Sequence, residues 1–230
     1  MKNAIRIVAA HAHSTGATAL NGLFFAGLLF LAGCSSLQPG PRPLVYDFGP
    51  GALPAVSGLA VQDLPAVTLA EVEAPASLDT AAVVYRLAYS DPQQLRPYIL
   101  ARWSMPPSQL LRQRLRETLG QRRAVLDPAQ GVLGPEGTLT VRLELLEFSQ
   151  VFTAPQDSSG VVRVRATLSQ PGATGERLVA QADFVTRRAS ASADASGGVH
   201  ALTQASDAVV QEVDAWLQKH PRALPLASRP

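Results

Sequence analysis

Leu139-Thr140-Val141-Arg142-Leu143-Glu144-Leu145 places an apolar side chain at every odd position and a polar one at every even position. A period of two is the mark of a strand with one face buried and the other in water. Val162, Val164, Ala166 and Leu168 repeat the pattern against Arg163, Arg165 and Thr167, and Leu178, Ala180, Ala182 and Phe184 follow it less cleanly. The separators hold Pro155, Asp157, Ser158, Ser159 and Gly160, then Pro171, Gly172 and Gly175. These are turn residues, so the three runs are expected to be antiparallel neighbours. Leu44 to Phe48, Val67 to Val72 and Ala82 to Ala88 read as further strands.

Two stretches carry a helical period instead. Pro106 and Pro107 can open a first turn, Leu111, Leu115 and Leu119 then fall at i, i+4 and i+8, and Gly120 can end the helix. Leu202, Ala205, Val209, Val213 and Trp216 recur at three- and four-residue intervals up to Lys219, His220 and Pro221. Each helix has one apolar stripe, and the sheet has one apolar face. The expected fold is α+β, an antiparallel or mixed sheet covered on one face by two helices.

The chain has 230 residues, 47% hydrophobic and 17% charged. Its net charge of +2 comes from 20 basic and 18 acidic residues; Lys2 and Arg6 lie in an N-terminal stretch without acids, leaving 18 against 18 in the remainder. A neutral body lacks the cationic excess that displaces counterions from phosphate backbones, so no nucleic-acid partner is expected. One cysteine excludes an intramolecular disulfide and a cysteine-rich metal site.

That cysteine closes the most informative segment. Gly22 to Ala32 is an apolar run followed by Gly33 and Cys34. Eleven residues at about 1.5 Å each span roughly 17 Å, short of a ~30 Å hydrocarbon core, so the run reads as a signal-peptide core. Leu31-Ala32-Gly33-Cys34 resembles the lipobox of bacterial lipoproteins. The resemblance implies cleavage between Gly33 and Cys34, a diacylglycerol thioether on Cys34, and a palmitate-type chain on the new N-terminus. No other cofactor is implied. Ser35, where such lipoproteins carry Asp for inner-membrane retention, implies the periplasmic face of the outer membrane. Two or three acyl chains hold a protein on a bilayer where one does not.

Four segments follow: a signal peptide over 1–33, a lipidated Pro-rich tether over 34–43, a folded domain over 44–220 and a Pro-interrupted tail over 221–230. The tether favours an extended polyproline path.

Catalytic patterns are scarce. Beyond the signal only His200 and His220 remain, near the two ends of the second helix. There is no Gly-x-Ser-x-Gly elbow and no His-Glu-x-x-His, while Gly131 to Gly137 lacks the lysine of a phosphate loop and reads as a turn. Glu71 with Glu73, and Glu144 with Glu147, read as solvated strand faces. An enzyme is not expected, and an anchored hydrolase built on His200 is the weaker rival. The one charge asymmetry is Arg102 to Arg123, six arginines against Glu117 alone. Either this is a solvated helix face, or Arg112, Arg116 and Arg123 meet an acidic partner or anionic headgroups. Trp103 and Met105 beside it read as core or as an interface anchor.

Leu44-Val-Tyr-Asp-Phe-Gly-Pro50 soon after the lipobox, the Tyr85-Arg86 strand, Tyr98, Arg102-Trp103-Ser-Met-Pro-Pro107 leading into the leucine helix, and Trp216-Leu217 resemble the ABC-type transport auxiliary lipoproteins, the PqiC-like group. The resemblance implies a docking subunit beside an ABC permease, its ATPase and a periplasmic MCE-type subunit, in lipid or hydrophobic-compound transport and outer-membrane integrity. It leaves room for homo-oligomerisation, and for a lipid-carrying domain with its own apolar cleft.

Overall fold

The computed structural model describes residues 40–51, 64–132, 134–172 and 175–220. The chain divides between Arg42 and Pro43, and every element belongs to the second unit. In chain order these are β1 (Leu44–Tyr46), β2 (Val67–Glu73), β3 (Ala82–Leu87), β4 (Asp91–Trp103), α1 (Pro107–Gly120), β5 (Val125–Leu126), a 3-10 turn (Pro128–Gln130), β6 (Leu139–Ala154), β7 (Asp157–Gly172), β8 (Gly175–Ala189) and α2 (Ala195–Gln218). The signal segment, most of the tether and the 221–230 tail lie outside the described residues; 40–43 carry no regular structure.

The sheet is mixed, and β6 is its axis. One edge of β6 pairs β7 antiparallel over nearly its whole length. The other edge is shared, with β2 parallel to its first half and β3 parallel to its second. Outward from these, β5 adds parallel to β2, β4 antiparallel to β3, β1 parallel to β4, and β8 antiparallel to β7. The expected strand set thus holds, and β4 and β5 join it.

Register follows from burial. Val141, Leu143 and Leu145 face Leu168, Ala166 and Val164, all inside. Between Leu145 and Glu147 the ladder slips by one residue, so Phe148, opposite Val162, points inward as well. That bulge explains why alternation fades after Leu145 while the strand runs on to Ala154: an extra residue exchanges the two faces. A second slip at Leu168/Ser169 puts Leu178 in water although Ala180, Ala182 and Phe184 share the inner register of β8. Arg163, Arg165 and Asp183 make the outer ladder, with Arg165 Nε 2.8 Å and Arg163 Nη2 3.0 Å from the carboxylate.

β4 gives little periodic signal because it carries Pro92 and Pro97 and is itself bulged: five steps from Pro97 to Arg102 run past two steps of β3. Proline tolerates such a place because no regular ladder bond is demanded of it.

Both helices cover the same apolar face. α1 starts with Pro107 in its first turn and buries Leu110, Leu111, Leu115 and Leu119. α2 starts at Ala195, one to two turns before its first apolar repeat, so His200 lies within the helix and not at its cap. Asp194 caps it, accepting from the Gly197 amide at 2.8 Å. Gly197 and Gly198 mask this start in sequence, and close packing explains them: the Gln150 side chain fills the space where a Gly198 Cβ would lie. Gln150 is fully buried and satisfied, donating to Ser158 Oγ at 2.8 Å and accepting from Tyr98 Oη at 2.8 Å.

Strand and helix backbones approach closely at Gly160 of β7, where a Cβ would sit 2.5 to 2.9 Å from backbone atoms of Ala201 and Leu202. Backbone cannot rotate away, so Gly160→Ala should cost about 2 kcal/mol or more. Gly120 has nothing within 4 Å of its Cβ position. Gly120→Ala should therefore be neutral or stabilising by up to about 1 kcal/mol. Urea denaturation of both variants checks the pair; equal midpoints would contradict the packing.

Candidate functional site

The segment that enters the domain from the tether is held by one side chain of α1. Arg114 sits on the leucine stripe, four residues after Leu110 and three after Leu111, so its guanidinium is carried inward and is almost wholly buried. It donates to the carbonyl of Phe48 and, at 3.0 Å, to that of Gly49. Asp207 of α2 lies 3.1 Å from its Nη1, and Glu117 lies 3.8 Å from its Nε. The guanidinium carbon is 5.9 Å from the Phe48 ring centroid.

The entering backbone is shaped to fit. Gly49 and Gly51 both take positive φ, 65° and 64°, and a Cβ at Gly51 would fall 2.5 Å from Arg114 Nη1. Asp47 accepts from the Gly49 amide at 2.8 Å, and Tyr46 O accepts from Ser104 N at 2.7 Å. Phe48 then drops into the core, edge-on to Trp103 at 5.6 Å and stacked on Phe148 at 6.1 Å. Of the two readings of Trp103 the structure selects core; Met105 is half-buried against it.

Arg112 and Arg116, one turn apart, converge on Asp127 Oδ2 at 2.9 and 3.2 Å. Arg112 also reaches Glu71 Oε1 at 3.3 Å and the Ala70 carbonyl at 3.3 Å. Donation from Arg112 and from the Ala129 amide holds the Asp127 carboxyl below the usual carboxylate range. An open cavity of about 450 Å³ lies over this cluster, walled by these ionic side chains with Gln109, Gln113 and Gln130.

Arg123 is not part of that group. It is only 5% exposed and donates to Asp214 Oδ1 of α2 at 3.0 Å. Burial lowers its pKa, with Asp214 opposing. The expected outward trio of Arg112, Arg116 and Arg123 is corrected accordingly: two form one surface cluster, and the third ties the ends of the helices together. The cationic stretch is matched by acids brought from β2, from the 3-10 turn and from α2, at sequence distances no local count reveals. Arg114 was legible, since an arginine in register with Leu110, Leu111 and Leu115 cannot lie on the outer face.

His200 is exposed, whereas His220 packs on Trp216 with Nδ1 2.9 Å from the Trp216 carbonyl. Among the described residues no three His, Cys, Asp or Glu side chains converge as metal ligands, and no helix is long and apolar enough to cross a membrane. Gly33 and Cys34 lie outside the described residues.

Fold and site together define a two-layer α+β domain whose N-terminal entry is fastened to its first helix by a buried arginine. Residues 46–214 match the ABC-type transport auxiliary lipoprotein component family, and the chain belongs to that family. None of the curated proteins matches. Among solved structures it is similar to protein XCC0632 from Xanthomonas campestris, at 20% identity and a TM-score of 0.57, over 76% of this chain and 94% of that one. It is similar also to an uncharacterized protein at 16% identity and a TM-score of 0.55, over 76% of this chain and 99% of that one. At these identities the likeness establishes the fold.

Removing Arg114 would leave the buried Phe48 carbonyl unmet and take the counter-ion from the half-buried Asp207 carboxylate. Arg114→Met should cost about 3 kcal/mol or more, and Arg114→Lys should recover less than half, because an ammonium cannot span both carbonyls and the acid. Thermal unfolding of the two variants tests this, and a methionine variant as stable as the parent would refute the role.

The acids predict a pH response. Asp127, Glu176, Asp183 and Asp194 are held below their ordinary values by hydrogen-bond donors, chiefly Arg112, Arg142, Arg165 and the Gly197 amide in turn. A depressed carboxyl contributes stability that is present above its unfolded pKa and lost as pH falls through the folded one. Asp207 runs the other way, raised by burial against the pull of Arg114. Four outweigh one, so the unfolding midpoint should fall as pH drops below about 4; a midpoint unchanged between pH 6 and 3 would contradict it.

Proposed function

We propose that this chain is a periplasm-facing lipoprotein subunit of an MCE-type ABC system, which moves lipid or another hydrophobic compound between the two membranes and sustains outer-membrane integrity. It acts by docking to partner subunits and does no chemistry of its own. Cleavage between Gly33 and Cys34 leaves Cys34 carrying diacylglycerol and an N-acyl chain, and Ser35 directs the product to the outer membrane. The observation that carries this reading is the Leu31-Ala32-Gly33-Cys34 motif directly after an apolar run, at the head of a chain of the auxiliary lipoprotein family.

The entry geometry supports it. A load on the tether passes into β1, and β1 has only three residues paired to β4. The next residues, Phe48 and Gly49, are gripped by Arg114. An anchored domain needs such a fixed point of entry. Its periplasmic partner is the MCE-type subunit, through which it joins the permease and ATPase, and self-association is compatible with this role.

The lipid-carrier reading is less well supported. An acyl chain asks for apolar walls, whereas the cavity of about 450 Å³ beside α1 is walled by glutamines, arginines and acids. A hydrolase reading would rest on His200, which stands exposed on α2.

Cys34→Ala tests the proposal. The variant should keep the parent's circular dichroism and unfolding midpoint, lose the acyl mass, leave the membrane fraction, and no longer co-purify the MCE-type subunit. A variant that still sediments with membranes and restores detergent resistance would refute the anchoring.

A further inference from the structure

Four large apolar side chains stand in water at one corner of the sheet: Leu44 at 63%, Val45 at 55%, Ile99 at 88% and Leu100 at 47% exposure. Scattered exposed hydrophobes are ordinary, but these four lie on adjoining stretches of two paired strands at the sheet edge. β1 pairs β4 in register Leu44 to Ala101 and Val45 to Arg102, which sets the first pair beside Ile99 and Leu100. The bulge of β4 between Pro97 and Arg102 releases Ile99 and Leu100 from the regular ladder. Arg102 is exposed at the same corner and forms no ion pair among the described residues.

We infer that this β1–β4 corner, Leu44, Val45, Ile99 and Leu100 with Arg102, rests on the surface of an anionic bilayer and sets the orientation of the domain. The inference rests on the acylation of Cys34 proposed above. Only nine residues separate Cys34 from Leu44, so an extended tether reaches about 35 Å at most. The corner is the part of the folded unit nearest in sequence to the acyl chains. Tethering raises the effective bilayer concentration around it, so a patch too small to recruit the domain alone can still be occupied. A guanidinium beside apolar side chains suits headgroups above acyl chains. A second copy of this chain is the poorer occupant. Stable interfaces take roughly 800 Å² and 20 to 30 residues from each partner, far more than the four apolar side chains of this corner supply.

The consequence is an orientation. β8 lies five strands from β1, about 24 Å across the sheet at about 4.8 Å per step. It would face away from the membrane.

The sole native cysteine is the acylated one, so Ile99→Cys and Leu178→Cys in the full-length chain each give a single free thiol. Both sites are exposed, and Leu178 on β8 serves as the distant control. Each variant is labelled with an environment-sensitive fluorophore and reconstituted into phosphatidylethanolamine/phosphatidylglycerol vesicles carrying headgroup nitroxide lipids. Quenching of the Ile99→Cys label should be about threefold stronger than that of the Leu178→Cys label. Equal quenching at the two sites would overturn the inference. So would an Ile99→Cys label shielded from aqueous iodide but untouched by the nitroxide, which would indicate protein over the corner. Flotation and intact mass separate the two claims. A protein that floats with its acyl mass but shows no preferential quenching sinks the corner contact alone, whereas one that lacks acyl chains sinks the anchoring proposal and this inference with it.

Discussion

A guanidinium removed from water must be met on every side, and Arg114 is met by two carbonyls of the entering chain, by a carboxylate of α2, by Glu117 of its own helix and by the Phe48 ring. Without the two carbonyls the nearly buried guanidinium would lose its hydrogen bonds inside the protein. The arrangement therefore requires the N-terminal segment, α1 and α2 to be in place together. It also dictates the glycines. A chain that wraps a guanidinium this closely turns through positive φ at Gly49 and Gly51, and at Gly51 a Cβ would fall 2.5 Å from Arg114 Nη1 and have to displace it. The Tyr-Asp-Phe-Gly-Pro motif is the mould of an arginine that lies 66 residues beyond Phe48.

β6 governs the rest. A strand of 16 residues is long enough to take two different partners on one edge, β2 and β3, and β7 on the other. One bulge lets it do so while keeping apolar side chains inward on both sides of the slip. Against this face α2 comes close enough to exclude any side chain at Gly160. Burial of Gln150 is tolerated because Tyr98, Ser158 and Ser190 complete its hydrogen bonds. Precision at these few points and plain leucine and valine packing elsewhere make a closely packed domain.

Close packing and internally neutralised charge are compatible with the proposed docking role. The arginines of α1 are spent on acids of this same chain, so its long-range field is modest and its attachment would depend on shape and on the membrane anchor more than on electrostatic steering. The bilayer contact inferred for the exposed apolar corner would add a second constraint to the proposed acyl anchor, and a domain held at two points has a defined height and facing.

Local pattern was enough to read the three antiparallel strands, the leucine helix, the second helix and the α+β class, because periods of 2 and 3.6 are written residue by residue. The lipobox-like tetrapeptide was readable for the same reason, since its recognition depends on adjacent residues alone. Bulges hid the ends of the strands at Leu145 and Leu178, prolines hid β4, and glycines hid the start of α2; each signal is reset by a neighbour that the local window does not contain. The arginines mark the boundary most clearly. Counting assigned them a cationic surface, and the fold delivered Asp127, Asp207, Asp214 and Glu71 to them from elsewhere in the chain. Composition by itself determined how much charge and apolar surface this protein has. Which charges are buried, which are paired and which apolar side chains remain in water were decided only when distant segments met, because desolvation and Coulomb energy depend on separation in space and not along the chain.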